Sequence, residues 1–195
     1  MKKGFDINKH KHFQTPMEYI QAFYEGQYIY TIEDIANILD MKEQYIQIKF
    51  MDKLDTLYID KFNKLNIRGI LNDYKKEPYL IPEEYRDAVE TMLVYKDKLR
   101  KRVLISYDSV IELIRTTFKK EVKINIQGDI ELQDLTPDDI NLILDKKLYS
   151  TRSSKELLGC NHDTQLYREL AKKLHLKYII QDESKKHNTA RYLFL

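Results

Sequence analysis

Asp138 and Asp139 are adjacent carboxylates, a residue type that holds hard cations. On a helix, neighbours project about 100° apart, which is poor geometry for a shared ion. They follow Thr136-Pro137, and a cap residue, a proline and two acids in succession mark a helix start. Cys160 is the one cysteine of the chain. A single thiol makes no intramolecular disulfide and leaves a Cys-rich zinc site short of ligands. Its position after Gly159, in an expected turn, suits a small core residue better than a nucleophile. His162 reads as a polar residue at a helix start and His175 as a surface residue. The 15 tyrosines read as core and interface filling with solvated hydroxyls. No aromatic-rich strand motif for stacking single-stranded bases accompanies them. The chain is read as a non-enzyme that needs no metal and no cofactor.

The side chains that remain suit a polyanion. Arg pairs with guanine edges, Gln with adenine edges, and Lys reaches phosphate. Three groups carry these types: Lys42, Gln44 and Gln47; Thr164, Gln165, Arg168 and Lys172; and Lys185 and Lys186 with Arg191. The first two groups need a short helix that presents one polar face. The third needs an exposed hairpin.

The sequence supplies both kinds of element. Thr31 stands as a cap before Ile32-Glu-Asp-Ile-Ala-Asn-Ile-Leu39, and Asp40-Met41 breaks that helix. From Lys42, Ile46, Phe50, Leu54, Leu57, Lys61 or Phe62, and Leu65 follow in steps of three and four, which predicts one long helix. Near the C-terminus, Ser153 or Ser154 caps a short helix closed by Leu158-Gly159-Cys160. Asn161 then caps a second helix whose Leu166, Leu170 and Leu174 face the core, so that Thr164, Gln165, Arg168 and Lys172 face solvent. Tyr178-Ile-Ile180 and Arg191-Tyr-Leu-Phe194 flank a polar tip holding Lys185 and Lys186, the pattern of a hairpin.

The first segment resembles helix-turn-helix DNA-binding domains, more specifically the excisionase and MerR-like groups, through Thr31, Glu33, Asp34, Ala36 and Leu39. Arg102-Val-Leu-Ile-Ser-Tyr-Asp-Ser-Val-Ile-Glu-Leu113 is similar to the strand and helix that follow in those groups. Asp40 stands where glycine is usual, and the two matching stretches lie farther apart than in those groups, so no specific family is assigned. The second segment, 147–195, resembles a winged helix-turn-helix in layout, with the hairpin as its wing. The resemblance implies binding to double-stranded DNA. His187, Arg191 and Tyr192 resemble the His/Arg/Tyr set of tyrosine recombinases in type, but they are too closely spaced and lack the upstream Arg box.

Between these segments, Glu77-Pro78-Tyr-Leu-Ile-Pro82 is the clearest break. A helix restarts at Pro82, with Tyr85, Val89, Met92, Lys96 and Leu99 at helical spacing. Residues 102–105 are β-like, Ser106 caps a helix to about residue 120, and 122–132 read as a hairpin around Gln127-Gly128-Asp129. Residues 1–15 read as frayed, and Pro16 opens a short helix. Three segments are expected: 1–76 with a helix-turn-helix and a long helix, 77–145 helical with a β-hairpin, and 146–195 winged-helix-like. With only 5 Gly and 4 Pro in 195 residues, the chain has less than half the usual share of turn-formers. The fold expected is mainly α with short β-hairpins and (winged) helix-turn-helix units.

The net charge is +2, but it is unevenly placed. Residues 98–123 and 146–195 are basic and 124–145 are acidic, which fits a basic C-terminal module meeting a polyanion. No stretch approaches the ~18 apolar residues of a membrane span, and the basic N-terminus lacks the apolar part of a signal peptide. A cytoplasmic chain without membrane contact is expected. Frequent Lys, Ile, Asn and Tyr with no Trp fit an AT-rich genome, such as that of a low-GC bacterium or its phages and plasmids. Together these features predict a sequence-specific DNA-binding protein: a transcriptional regulator or a DNA-binding factor of a phage, plasmid or other mobile element. The alternative is a protein-interaction or oligomerisation module. A homodimer is expected through the faces Ile46/Phe50/Leu54/Leu57 or Tyr85/Val89/Met92/Leu99.

Overall fold

The computed structural model describes residues 6–123, 130–161, 163–174, 176–181 and 190–193. Among them the helices are α1 (Pro16–Glu25), α2 (Ile32–Leu39), α3 (Glu43–Lys49), α4 (Lys61–Lys76), α5 (Glu83–Val94), α6 (Tyr107–Thr117), α7 (Pro137–Lys146), α8 (Thr151–Leu157) and α9 (Thr164–Lys173). The strands are β1 (Thr56–Tyr58), β2 (Val103–Ile105), β3 (Phe118–Lys123), β4 (Ile130–Asp134), β5 (Tyr149–Ser150), β6 (Lys177–Gln181) and β7 (Ala190–Leu193). The chain is mainly helical with small antiparallel sheets, as the scarcity of Gly and Pro predicts. It divides into two compact units, Met1–Ile32 with Gln47–Val110 and Glu33–Ile46 with Ile111–Leu195.

In the first unit, α1 opens with a capping box. The Thr15 hydroxyl accepts from the Glu18 N–H, and the Glu18 carboxylate accepts from the Thr15 N–H at 2.8 Å. The helix ends at Gly26, where a Cβ would run into the Tyr28 ring. α1 packs on α4 and α5. Tyr19, Ile20 and Phe23 of α1 meet Ile67, Leu71 and Tyr74 of α4 and Ala88, Val89 and Met92 of α5 in one core. β1 and β2 pair antiparallel, Leu57 opposite Leu104, and both of those side chains join that core. Burial of such aliphatic side chains supplies about 1.5–3 kcal/mol each, which is why the core can form without disulfides.

In the second unit, the strand order is β4-β3-β6-β7-β5, antiparallel throughout. Lys119 and Asp134 face each other across β3 and β4 and form an ion pair. α7 begins with a second capping box, built by Thr136 and Asp139 after Pro137, as that run of residues predicts. The expected hairpin of 122–132 has its strands in β3 and β4, and its tip lies outside the described residues. The strands at 178–180 and 191–194 correspond to β6 and β7, and their tip is likewise outside.

Several local expectations are corrected. The long helix from Lys42 does not form: α3 ends at Lys49, a 3-10 turn covers Met51–Lys53, and β1 and α4 follow. Ile46, Phe50, Leu54 and Leu57 are all buried, but they come from successive short elements, so their helix-like spacing is coincidental. Thr56-Leu57-Tyr58 favours an extended chain. Asp60 stops it and caps α4, accepting from the Asn63 N–H at 2.9 Å. Within α4 the inward residues are Ile67, Leu71 and Tyr74, leaving Phe62 71% and Leu65 58% exposed. The helix from Pro82 stops at Val94, and Leu99 is buried from a 3-10 turn, Lys96–Arg100. α6 stops at Thr117, because Phe118 enters β3. Of the segment expected to fray, residues 1–5 lie outside the described residues, and the rest is tied down: Lys11 bridges Leu57, and a His10 ring nitrogen bonds the Thr56 hydroxyl at 2.7 Å. The helical faces expected to pair two subunits are largely used inside the chain, since Ile46, Phe50, Leu57, Val89, Met92 and Leu99 are fully buried.

Candidate nucleic-acid interface

α2 buries Ile35, Ala36, Ile38 and Leu39 and exposes Glu33, with Asp34 half-buried. It is closed by a tight turn in which the Met41 N–H donates to the Ala36 carbonyl at 2.9 Å. Asp40 takes a φ of 50°, the left-handed region that Asp tolerates better than most residues. Its carboxylate then accepts from the Ser150 N–H at 2.7 Å and the Ser153 hydroxyl at 2.6 Å. The Leu148 N–H donates to the Ile38 carbonyl at 2.7 Å. The turn after α2 is thereby bonded to the residues that start α8, all within the second unit. Asp40 therefore has a structural reason at this turn: it tolerates the left-handed conformation and adds an acceptor. α3 anchors through buried Ile46 and exposes Gln44 and Gln47, with Lys42 exposed just ahead of it. Tyr45 and Ile48 are exposed on the same helix, Ile48 by 70%.

α8 is capped by Ser150, whose hydroxyl accepts from the Ser153 N–H, and not by Ser153 or Ser154. Gly159 follows with a φ of 68°, which favours glycine. Cys160 is buried, as its sequence context predicts. Asp163, and not Asn161, caps α9 by accepting from the Leu166 N–H at 2.8 Å. The inward face of α9 also differs from expectation. Tyr167 and Ala171 are buried, whereas Leu166 is 42% and Leu174 48% exposed. Both sets step by four residues. The tyrosine wins because its ring packs with Cys160, Leu158, Leu170 and Tyr178 and takes the Lys155 ammonium over its face at 5.7 Å.

Thr164, Gln165, Arg168 and Lys172 are all exposed, as expected. At about 100° per residue, Arg168, Lys172 and Gln165 fall within one arc of about 60°, while Thr164 lies close to the buried Ala171 side. Thr164 accepts from Lys155 at 3.0 Å, and Gln165 donates to exposed Glu169 at 3.4 Å. Arg191 lies on β7, opposite Ile179 and Ser150 in register. Lys185 and Lys186 lie outside the described residues, as do His162, His175 and His187.

Asp139 is buried beneath its cap. Burial pushes its carboxyl upward, but bonds from Thr136 and the Lys120 ammonium outweigh burial and hold it below the usual range. Among the described residues, no three His, Cys, Asp or Glu side chains converge as a metal site. No described helix is long and apolar enough to cross a membrane.

One basic feature of the first unit escaped the sequence reading. A cleft of about 270 Å³ is lined by Arg68, Leu71, Asn72 and Lys75 of α4 and by Leu93, Lys96, Asp97 and Arg100. Arg68, Asn72 and Lys75 follow each other by four and three residues, a stripe that passes for an ordinary solvated helix face. Its partner cations come from a 3-10 turn in a different part of the sequence. No protein-family model matches the chain, and no curated protein or solved structure is significantly similar to it.

Proposed function

We propose that this protein binds double-stranded DNA in a sequence-specific manner. It acts as a transcriptional regulator or as a DNA-binding factor of a phage, plasmid or other mobile element. In this proposal α2–α3 and α8–α9 are two helix-turn-helix units, and β6–β7 is the wing of the second. The protein is cytoplasmic, works as a homodimer, and performs no catalysis. The observation that carries the proposal is α9: a short helix behind a left-handed glycine turn, with Gln165, Arg168 and Lys172 all turned outward. A major groove admits one such helix. Exposed Lys42, Gln44 and Gln47 give α3 the same chemistry.

A specific observation favours a second reading. Tyr45 and Ile48 on α3, and Leu166 and Leu174 at α9, are exposed apolar side chains on the helices that would read DNA. They suit a protein-docking surface. Arg168→Ala combined with Lys172→Ala separates the two readings. For DNA binding, affinity for a selected duplex falls, by about 1–3 kcal/mol if Arg168 contacts a base, while the melting temperature stays nearly unchanged. Unchanged duplex affinity supports the docking reading.

A further inference from the structure

We propose that the cleft between α4 and the Leu93–Arg100 stretch of the first unit is a binding site for a small organic phosphate. The proposal does not depend on DNA binding by the second unit. Four cations, Arg68, Lys75, Lys96 and Arg100, line the cleft against one acid, Asp97. Asp97 is engaged by Arg100 at 3.5 Å. Among the described residues, Arg68, Lys75 and Lys96 take part in no ion pair. A helix surface that served only stability would interleave acids with these cations. Instead α4 carries a further cation, Lys64, one turn before Arg68. Burial, with Arg68 and Arg102 nearby, depresses the Lys64 ammonium to about 8.

Shape and lining narrow the ligand. A volume of about 270 Å³ lies just below the usual range for ligand sites, so only a compact molecule fits and a folded partner does not. Leu71 is buried and Leu93 half-buried at the floor, giving an apolar surface for an organic body. Asn72 can donate and accept at the wall. Guanidinium groups at Arg68 and Arg100 suit bidentate phosphate contact, and the lysines add point charge. A cationic rim over an apolar floor matches a phosphate carried on a small organic group, such as a sugar phosphate or a mononucleotide.

Calorimetry on the full chain tests this with three probes: adenosine monophosphate, adenosine and inorganic pyrophosphate. We expect the monophosphate and pyrophosphate to bind and adenosine to bind far more weakly. Arg68→Gln with Lys96→Gln, both at exposed positions, should weaken the phosphates by about tenfold or more and leave the unliganded melting temperature unchanged. Duplex DNA affinity of the same variant is measured alongside. If duplex affinity is unchanged while phosphate binding falls, a small-ligand site is supported. If the phosphates do not bind the parent, or bind the variant equally well, the proposal is overturned. If only duplex affinity falls, the cleft belongs to a DNA backbone track and the small-ligand proposal is likewise overturned.

Discussion

Asp40 shows how one side chain can serve both a turn and a junction. It holds a left-handed conformation and offers its carboxylate to Ser150 and Ser153. Asp40→Gly keeps the conformation available and removes both acceptors. We expect a loss of about 1–3 kcal/mol in chemical denaturation, because Ser150 is half-buried and its N–H loses its partner. Equal stability would mean that water replaces the carboxylate without cost. Lys64 makes a prediction of opposite sign. Its folded value, about 8, lies below the ordinary 10.5. Between these values the unfolded chain holds a proton that the folded chain has released, so its contribution to stability rises with pH across that window and is lost as pH falls toward 8. Lys64→Met should therefore raise the melting temperature at pH 7, and its advantage should shrink by pH 9.5. A constant difference across that range would show that Lys64 is already solvated and unperturbed.

Helix starts marked by proline were the most legible elements in the sequence. Pro16 and Thr136-Pro137 open α1 and α7 with the capping chemistry their residues predict. The break at 77–82 and the strands β2, β6 and β7 were also readable, because their punctuation is local. What was not legible depended on tertiary competition. β1 was hidden because its buried leucine continued a helix-like spacing, and only pairing with β2 makes it a strand. On α9 two stripes stepping by four competed: Tyr167 and Ala171 are buried, and from the expected leucine stripe Leu170 packs beside them while Leu166 and Leu174 stay exposed. The cleft of α4 could not be read, because its cations meet others some thirty residues away. For the outward residues of α3 and α9, exposure was legible while their target was not. Gln44→Ala addresses α3 directly: if α3 reads bases, the preferred duplex sequence changes. If selection from a random duplex pool returns the parent's sequence, α3 is structural. Ala36→Leu should cost about 1–3 kcal/mol in either case, by overpacking a buried helix contact.

At the scale of the molecule, the two units are each assembled from separated stretches of chain, so contacts between distant segments decide their borders. The near-neutral total charge conceals a basic C-terminal stretch, and charge distribution bears on partners rather than on fold. Because the expected pairing faces are buried, a homodimer has to use other surface, and exposed Phe62 and Leu65 on α4 are available for it. Titration of a labelled random-sequence duplex across a salt series, read by fluorescence anisotropy, tests DNA binding most directly. We expect tight association at low salt, with the logarithm of the binding constant falling linearly against the logarithm of salt at a slope of about −0.9 per phosphate contacted. No association at low salt, or an affinity that ignores salt, would contradict DNA binding and leave the exposed apolar residues of α3 and α9 to a protein partner.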